Sequence, residues 1–173
     1  MNEITKKNEK KELKISNKNF ETLLKICLVI GIIIVSGFII YYILTPEPGY
    51  VNFGILNENQ EAGNYPTEAS VNETIFFYVT VENYLDRDFT FQIQIKKGNN
   101  NTILSPSIPS NGTLDFIIGN ITLNNNVDWI SQKLNVSFSE VGQNQIIITE
   151  FWQIKNEVEE FYETLWMRLN ITN

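Results

Sequence analysis

Hydrophobic and polar positions follow three successive rhythms along this chain. Residues 1–25, MNEITKKNEKKELKISNKNFETLLK, are mostly polar and contain no aromatic side chain before Phe20. Residues 26–44, ICLVIGIIIVSGFIIYYIL, are apolar throughout apart from Ser36. From Tyr50 onward apolar and polar residues alternate, the period-2 signature of half-buried strands. The middle run predicts a helix of about 28 Å, close to the ~30 Å hydrocarbon core of a bilayer. Ser36 can bond back to a carbonyl in the preceding turn, and lipid-embedded helices tolerate glycines such as Gly31 and Gly37.

The alternating part resolves into short strands. In residues 50–56, Val51, Phe53 and Ile55 share a face, and residues 57–70, with Gly63 and Pro66, read as a loop. Residues 74–83 set Ile75, Phe77, Val79 and Val81 against Phe76, Tyr78 and Thr80. Residues 89–96 return with Phe89, Phe91, Ile93 and Ile95 on one face, and the turn residues 85–88 between the two runs predict a hairpin. Gly98 and the asparagines after it mark a turn, Ile103 and Leu104 are extended, and Pro106 and Pro109 interrupt. Leu114, Phe116, Ile118, Ile121 and Leu123 form a strand with a kink or bulge at Gly119 and Asn120. Leu134, Val136 and Phe138 alternate, Gly142, Gln143 and Asn144 predict a second hairpin turn, and residues 146–154 run back. Residues 156–163 read as a helical turn, with Phe161 and Tyr162 already suited to a strand, and a last strand covers 164–171.

Seven or eight such strands, with no long amphipathic helix outside the apolar run, predict an all-β fold. The expectation is an immunoglobulin-like antiparallel β-sandwich preceded by a single N-terminal transmembrane α-helix. The domain plan is a cytoplasmic basic tail at 1–25, a transmembrane helix at 26–44, a linker at 45–49 and an extracytoplasmic sandwich at 50–173. Trp129, Trp152 and Trp166 are expected in the core or on sheet faces.

Charge orients the helix. Seven lysines, Lys6, Lys7, Lys10, Lys11, Lys14, Lys18 and Lys25, precede the apolar run, and lysine-rich flanks stay on the cytoplasmic side. After the run six cations face sixteen of the chain's carboxylates, so most of the net charge of −7 lies there. A cleaved signal peptide would have a shorter apolar region ending at a small-residue cleavage site, whereas this run is long and leaves through Thr45-Pro46-Glu47-Pro48. The expected location is therefore the cell membrane, single-pass, with the C-terminal domain outside. The bilayer is one expected partner, and the basic tail adds about 1 kcal/mol of attraction to anionic lipid per nearby lysine.

Asn72, Asn100, Asn111, Asn120, Asn135 and Asn170 each open an Asn-X-Ser/Thr acceptor sequence, and all six follow the apolar run. Chance placement in so asparagine-rich a chain produces roughly two or three, so they are candidate glycosylation sites on an outer surface. Cys27, inside the apolar run, is the single cysteine, so the outer domain is stabilised by packing and not by disulfides. Histidine is absent, which removes the commonest general base and metal ligand. Glu157, Glu159, Glu160 and Glu163 cluster in sequence and suit carboxylate chemistry only if one is buried in an apolar pocket; a solvated edge is the expectation. Glu82, Asp86 and Asp88 offer too few oxygens for calcium. No catalytic, cofactor-binding or metal site is assigned, no cofactor is expected, and an acidic domain is unsuited to nucleic acid.

Asn64-Tyr-Pro-Thr-Glu68, followed by a strand ending Val81-Glu-Asn83, resembles the YPT, strand, VxN signature of the DUF1616 family, found mainly in archaeal membrane proteins. Asp128-Trp129, the strand to Phe138, Val141-Gly-Gln-Asn144 and the closing YETLWMRLNI at 162–171 resemble that family's W, PGEN and YRSLHLW-type segments in the same order, across residues 50–171. The chain departs from the pattern in having one N-terminal span and in Val141 and Gln143, where proline and glutamate are usual. The resemblance implies a C-terminal sandwich-like domain on a membrane protein and supplies no catalytic residues. The expected function is a membrane-anchored, non-catalytic binding or structural domain of the cell envelope, whose partner is an envelope protein or glycan. An archaellum- or pilus-associated component is the alternative, although Leu24-Lys25-Ile26 offers no pilin-type leader site, and an accessory enzyme of surface-glycan processing ranks last.

Overall fold

The computed structural model describes residues 3–45 and 49–173, with side chains from Asn19 onward. The expected linker's Pro46, Glu47 and Pro48, and the side chains of the tail lysines up to Lys18, lie outside the described residues. Two compact units result, one containing a helix and the other all the strands.

Helix α1 spans Glu3–Leu44, so the expected helix at 26–44 continues back through the tail. Lysine, glutamate and leucine are good helix formers, no proline or glycine precedes Gly31, and the spacing Glu21/Lys25 suits a helical i,i+4 pair. Its part Asn19–Leu44 contains an 18-residue stretch of mean hydropathy 2.8, is long and apolar enough to cross a membrane, and buries none of that stretch. The helix closes on Thr45, whose amide and hydroxyl both donate to the Tyr41 carbonyl.

The second unit has nine strands: β1 Tyr50–Leu56, β2 Glu68–Ser70, β3 Ile75–Tyr84, β4 Phe89–Gly98, β5 Thr113–Leu123, β6 Val127–Ile130, β7 Leu134–Val136, β8 Gly142–Lys155 and β9 Val158–Thr172. One sheet runs β1-β3-β6, with β7 also on β3, and the other runs β2-β9-β8-β4-β5. Every pairing is antiparallel except β2 with β9, which is parallel. Phe53 and Ile55, then Ile75, Phe77, Val79 and Val81, meet Phe89, Phe91, Ile93, Ile95 and Phe151 in one cluster fed by both sheets. Phe53 of β1 stacks on Phe151 of β8 with ring centres 4.7 Å apart, and Trp129 of β6 meets Phe91 of β4 edge-on. The chain arrives through Gly49, where a Cβ would collide with the backbone of Tyr84 and Leu85.

The strands expected at 50–56, 74–83, 89–96 and 114–123 are present, and the bulge expected at Gly119 and Asn120 is there: Phe91 opposes Ile121 and Ile93 opposes Ile118. The expected hairpin of 74–83 with 89–96 is not formed. β3 and β4 belong to different sheets, and residues 85–88 carry the chain across the core. Asn83 holds this crossing, donating to the carbonyls of Arg87 and Leu123 and accepting from the Leu85 amide. The second expected hairpin is likewise a crossing, because β7 pairs with β3 while β8 lies in the other sheet, and Gly142 already belongs to β8. The expected helical turn at 156–163 is a two-residue hairpin loop. Asn156 and Glu157 both have positive φ, 52° and 66°, the twist that suits a tight antiparallel connection, and β9 starts at Val158 rather than near Thr164. Within the expected loop 57–70, Glu68–Ser70 is a strand. Ile103 and Leu104 are outside strands, beside an isolated bridge of Ser105 with Ile108.

Candidate functional site

β8 is buried on both faces. Ile147 and Phe151 point into the shared core, while Ile146, Ile148 and Glu150 occupy the opposite face and are fully buried as well. Residues 99–112, the connection from β4 to β5, lie over that second face: a Cβ at Gly112 would stand 2.8 Å from Ile148 Cδ1. This strap is tied to itself by the Ile103 amide donating to Asn111 Oδ1 at 2.8 Å and the Asn99 amide donating to Thr102 Oγ1 at 2.8 Å.

Glu150 pins the strap. One carboxylate oxygen accepts from both the amide and the hydroxyl of Ser110, each at 2.7 Å. The other pairs with Lys96 Nζ at 2.8 Å and accepts from Trp152 Nε1 at 3.2 Å. Four donors satisfy a carboxylate with no solvent exposure, as a buried charge requires. The ammonium of Lys96 is also nearly buried and reaches the Ser110 carbonyl. The Ser110 hydroxyl is spent as a donor to Glu150, so the arrangement acts as a fastening. No motif announced this centre, since a glutamate in a strand reads as solvent-facing and its cover comes from Ser110 of the strap together with Lys96 and Trp152.

The acidic residues noted in the sequence are not gathered into such a centre. Glu157, Glu159 and Glu160 are exposed along the hairpin and β9, and Glu163 alone is half-buried, which pushes its carboxyl above the usual range. Glu82 accepts from Asn52 Nδ2 at 3.1 Å and stands 3.5 Å from the Tyr84 hydroxyl, and its charge is the main reason the Tyr84 phenol is raised. Asp86 is bonded to Asn125 instead. Among the described residues no three acidic, cysteine or histidine groups stand close enough to share a metal ion. Trp129 packs against the core, Trp152 is half-buried beside Glu150 and Phe161, and Trp166 is 40% exposed.

All six acceptor asparagines are exposed. Asn72, Asn100, Asn111, Asn135 and Asn170 lie toward one end of the unit, where β3 begins and where β4, β7 and β9 finish. Asn120 lies toward the other end, where the chain arrives at Tyr50 opposite Tyr84. Among the clefts at the surface are two of about 300 Å³. One is polar, with Asn57, Glu61, Asn64 and Glu73 among its walls. The other is a mostly apolar groove of Ile55, Tyr65, Leu165, Trp166 and Met167, spanned by the Tyr65 hydroxyl donating to the Ile55 carbonyl at 2.7 Å.

No family model matches this chain, and no curated protein matches it. Among solved structures it is similar to a CARDB domain from Pyrococcus furiosus in complex with di-metal ions, with 13% identity, 75% of this chain and 93% of that chain covered, and a TM-score of 0.46. A β-glucosidase from Listeria innocua in complex with glucose is 11% identical over 72% of this chain and 16% of that one, with a TM-score of 0.45. The sporulation control protein Spo0M from Bacillus subtilis is 9% identical over 72% and 50%, also at 0.45. None of these likenesses carries an activity over to this chain.

Proposed function

We propose that the chain is a single-pass membrane protein whose strand unit, an immunoglobulin-like β-sandwich, stands outside the cytoplasm as a non-catalytic binding or structural domain of the cell envelope. The observation that carries this reading is the helix Asn19–Leu44, apolar and unburied, preceded by a segment rich in lysine. A surface of that size and hydropathy is stable only against lipid or another apolar partner, and the lysines favour the cytoplasmic side for the N-terminus. Two sheets feeding one core support the sandwich, and the exposure of all six acceptor asparagines supports an outward, glycosylated face. The fastening at Glu150 suits a rigid body that presents its surface to an envelope protein or glycan. The DUF1616 relationship over residues 50–171 belongs to the same proposal. A solved domain of that family with the sheet order β2-β9-β8-β4-β5 would support it, and a different order would remove it.

Topology is the decisive experiment. Protease added to intact cells should digest a C-terminal tag and the strand unit while leaving an N-terminal tag intact. Protection of the C-terminal tag with loss of the N-terminal one overturns the reading.

A further inference from the structure

We infer that the open edge of β9 is a self-association site whose occupant is β9 of a second copy of this chain, paired antiparallel about a two-fold axis at Thr164. β8 covers one edge of β9 from end to end, whereas β2 covers only Asn170, Ile171 and Thr172 on the other. The approach on that side reaches back as far as the Thr67 carbonyl, which accepts from the Asn170 amide at 2.8 Å, and Tyr65, bonded across to β1, borders a groove with Leu165, Trp166 and Met167. Among the described residues, 158–169 therefore has strand neighbours on one side only. A row of unpaired backbone donors and acceptors accepts another strand, and its side chains decide which.

The register with β8 places Glu159, Phe161, Thr164, Trp166 and Arg168 on one face of β9, opposite Ile154, Trp152, Glu150, Ile148 and Ile146. The irregularity between Phe161 and Glu163 inserts one extra residue, so Phe161 and Glu159 stand two and four ladder positions before Thr164, as Trp166 and Arg168 stand two and four after it. This face is self-complementary. Across a two-fold at Thr164, Trp166 meets Phe161 of the second copy and Arg168 meets Glu159 of the second copy, and each pairing occurs twice, as an isologous interface demands. Arg168 and Glu159 are exposed, and neither has an ion-pair partner within 4.0 Å among the described residues, so both charges are free to pair across the axis. The same match turns an acidic edge, which repels most strands, into one that selects its own copy.

The antiparallel ladder sets the two ends at which the chains arrive, near Tyr50, at opposite ends of the pair. The full chain in detergent, where no bilayer restricts the anchors, is the material for the test. With Cys27→Ala as background, Glu159→Cys combined with Arg168→Cys should give a disulfide-linked dimer on mild oxidation. Within one chain these positions are nine residues apart along a strand, about 30 Å, too far to close internally. Glu160→Cys with Arg168→Cys points its thiols to opposite faces and should lose the dimer band. In the unmodified background, Glu159→Arg and Arg168→Glu should each lower the dimer fraction in sedimentation, and the double reversal should restore it. Equal crosslinking by both cysteine pairs, absence of crosslinking by the first pair in folded protein, or failure of the double reversal to restore the dimer overturns the inference.

Discussion

Stripping water from a carboxylate costs several kcal/mol unless its oxygens are bonded, and Glu150 takes two of its donors from the strap, one from Lys96 and one from Trp152. Glu150→Ala leaves the Lys96 ammonium, its side chain 11% exposed, without a counter-ion and leaves the Ser110 amide unpaired. Denaturant titration should show a loss of about 3–5 kcal/mol. Glu163 works in the opposite sense. Burial raises its carboxyl above the ordinary 4.5, so the folded form binds its proton more tightly than the unfolded chain. Its contribution is therefore fully present below the unfolded value and is lost as pH rises through the folded one. Glu163→Gln should flatten the stability-versus-pH curve in that window, and an unchanged curve would remove the burial argument. At Glu157, a residue carrying a Cβ sits at φ 66° in a two-residue loop. Glu157→Gly should raise stability by about 1 kcal/mol, read as a higher denaturation midpoint.

Alternation was sufficient to find most strands but not their neighbours. Ile75, Phe77, Val79 and Val81 on one strand and Phe89, Phe91, Ile93 and Ile95 on the next are equally compatible with lying side by side or face to face. The crossing is decided by Asn83, whose side chain reaches carbonyls four and forty residues away, and no local pattern announces that. The bulge at Gly119 and Asn120 was legible because glycine followed by asparagine is a local backbone signal; the parallel β2 was not, since three residues beside a proline carry no periodicity. Glu150 escaped notice for a related reason: its burial comes in part from a strap that is irregular in sequence and regular only in what it covers. The strap's closeness to β8 is testable. A Cβ at Gly112 meets Ile148 Cδ1 at 2.8 Å and the Lys97 carbonyl at 3.0 Å. Gly112→Ala should cost about 1–3 kcal/mol and speed amide exchange within residues 99–112 while leaving the centre of β3 protected.

The two units differ in where their apolar side chains lie. The strand unit buries Phe, Ile, Val and Leu side chains from both sheets in a core of its own. The helix buries nothing of its apolar stretch and satisfies its backbone internally, the condition for residence in hydrocarbon. Removing residues 1–45 should therefore separate the two behaviours. The remaining chain is expected to be released from membranes, to unfold in a single cooperative transition and to show the circular dichroism of strands, whereas the full chain should stay with the membrane fraction through alkaline carbonate extraction. Were the shortened chain to aggregate or lose its transition, the helix would be part of the fold and not an anchor. Were the full chain to wash off with carbonate, the apolar surface would be satisfied by protein instead of lipid. The acceptor asparagines sharpen the same comparison, because a helix that leads the strand unit across a membrane exposes all six to a glycosylating enzyme on the far side. In a host with that enzyme, the full chain should migrate above its 20.0 kDa, and the shortened chain, made without the helix, should not.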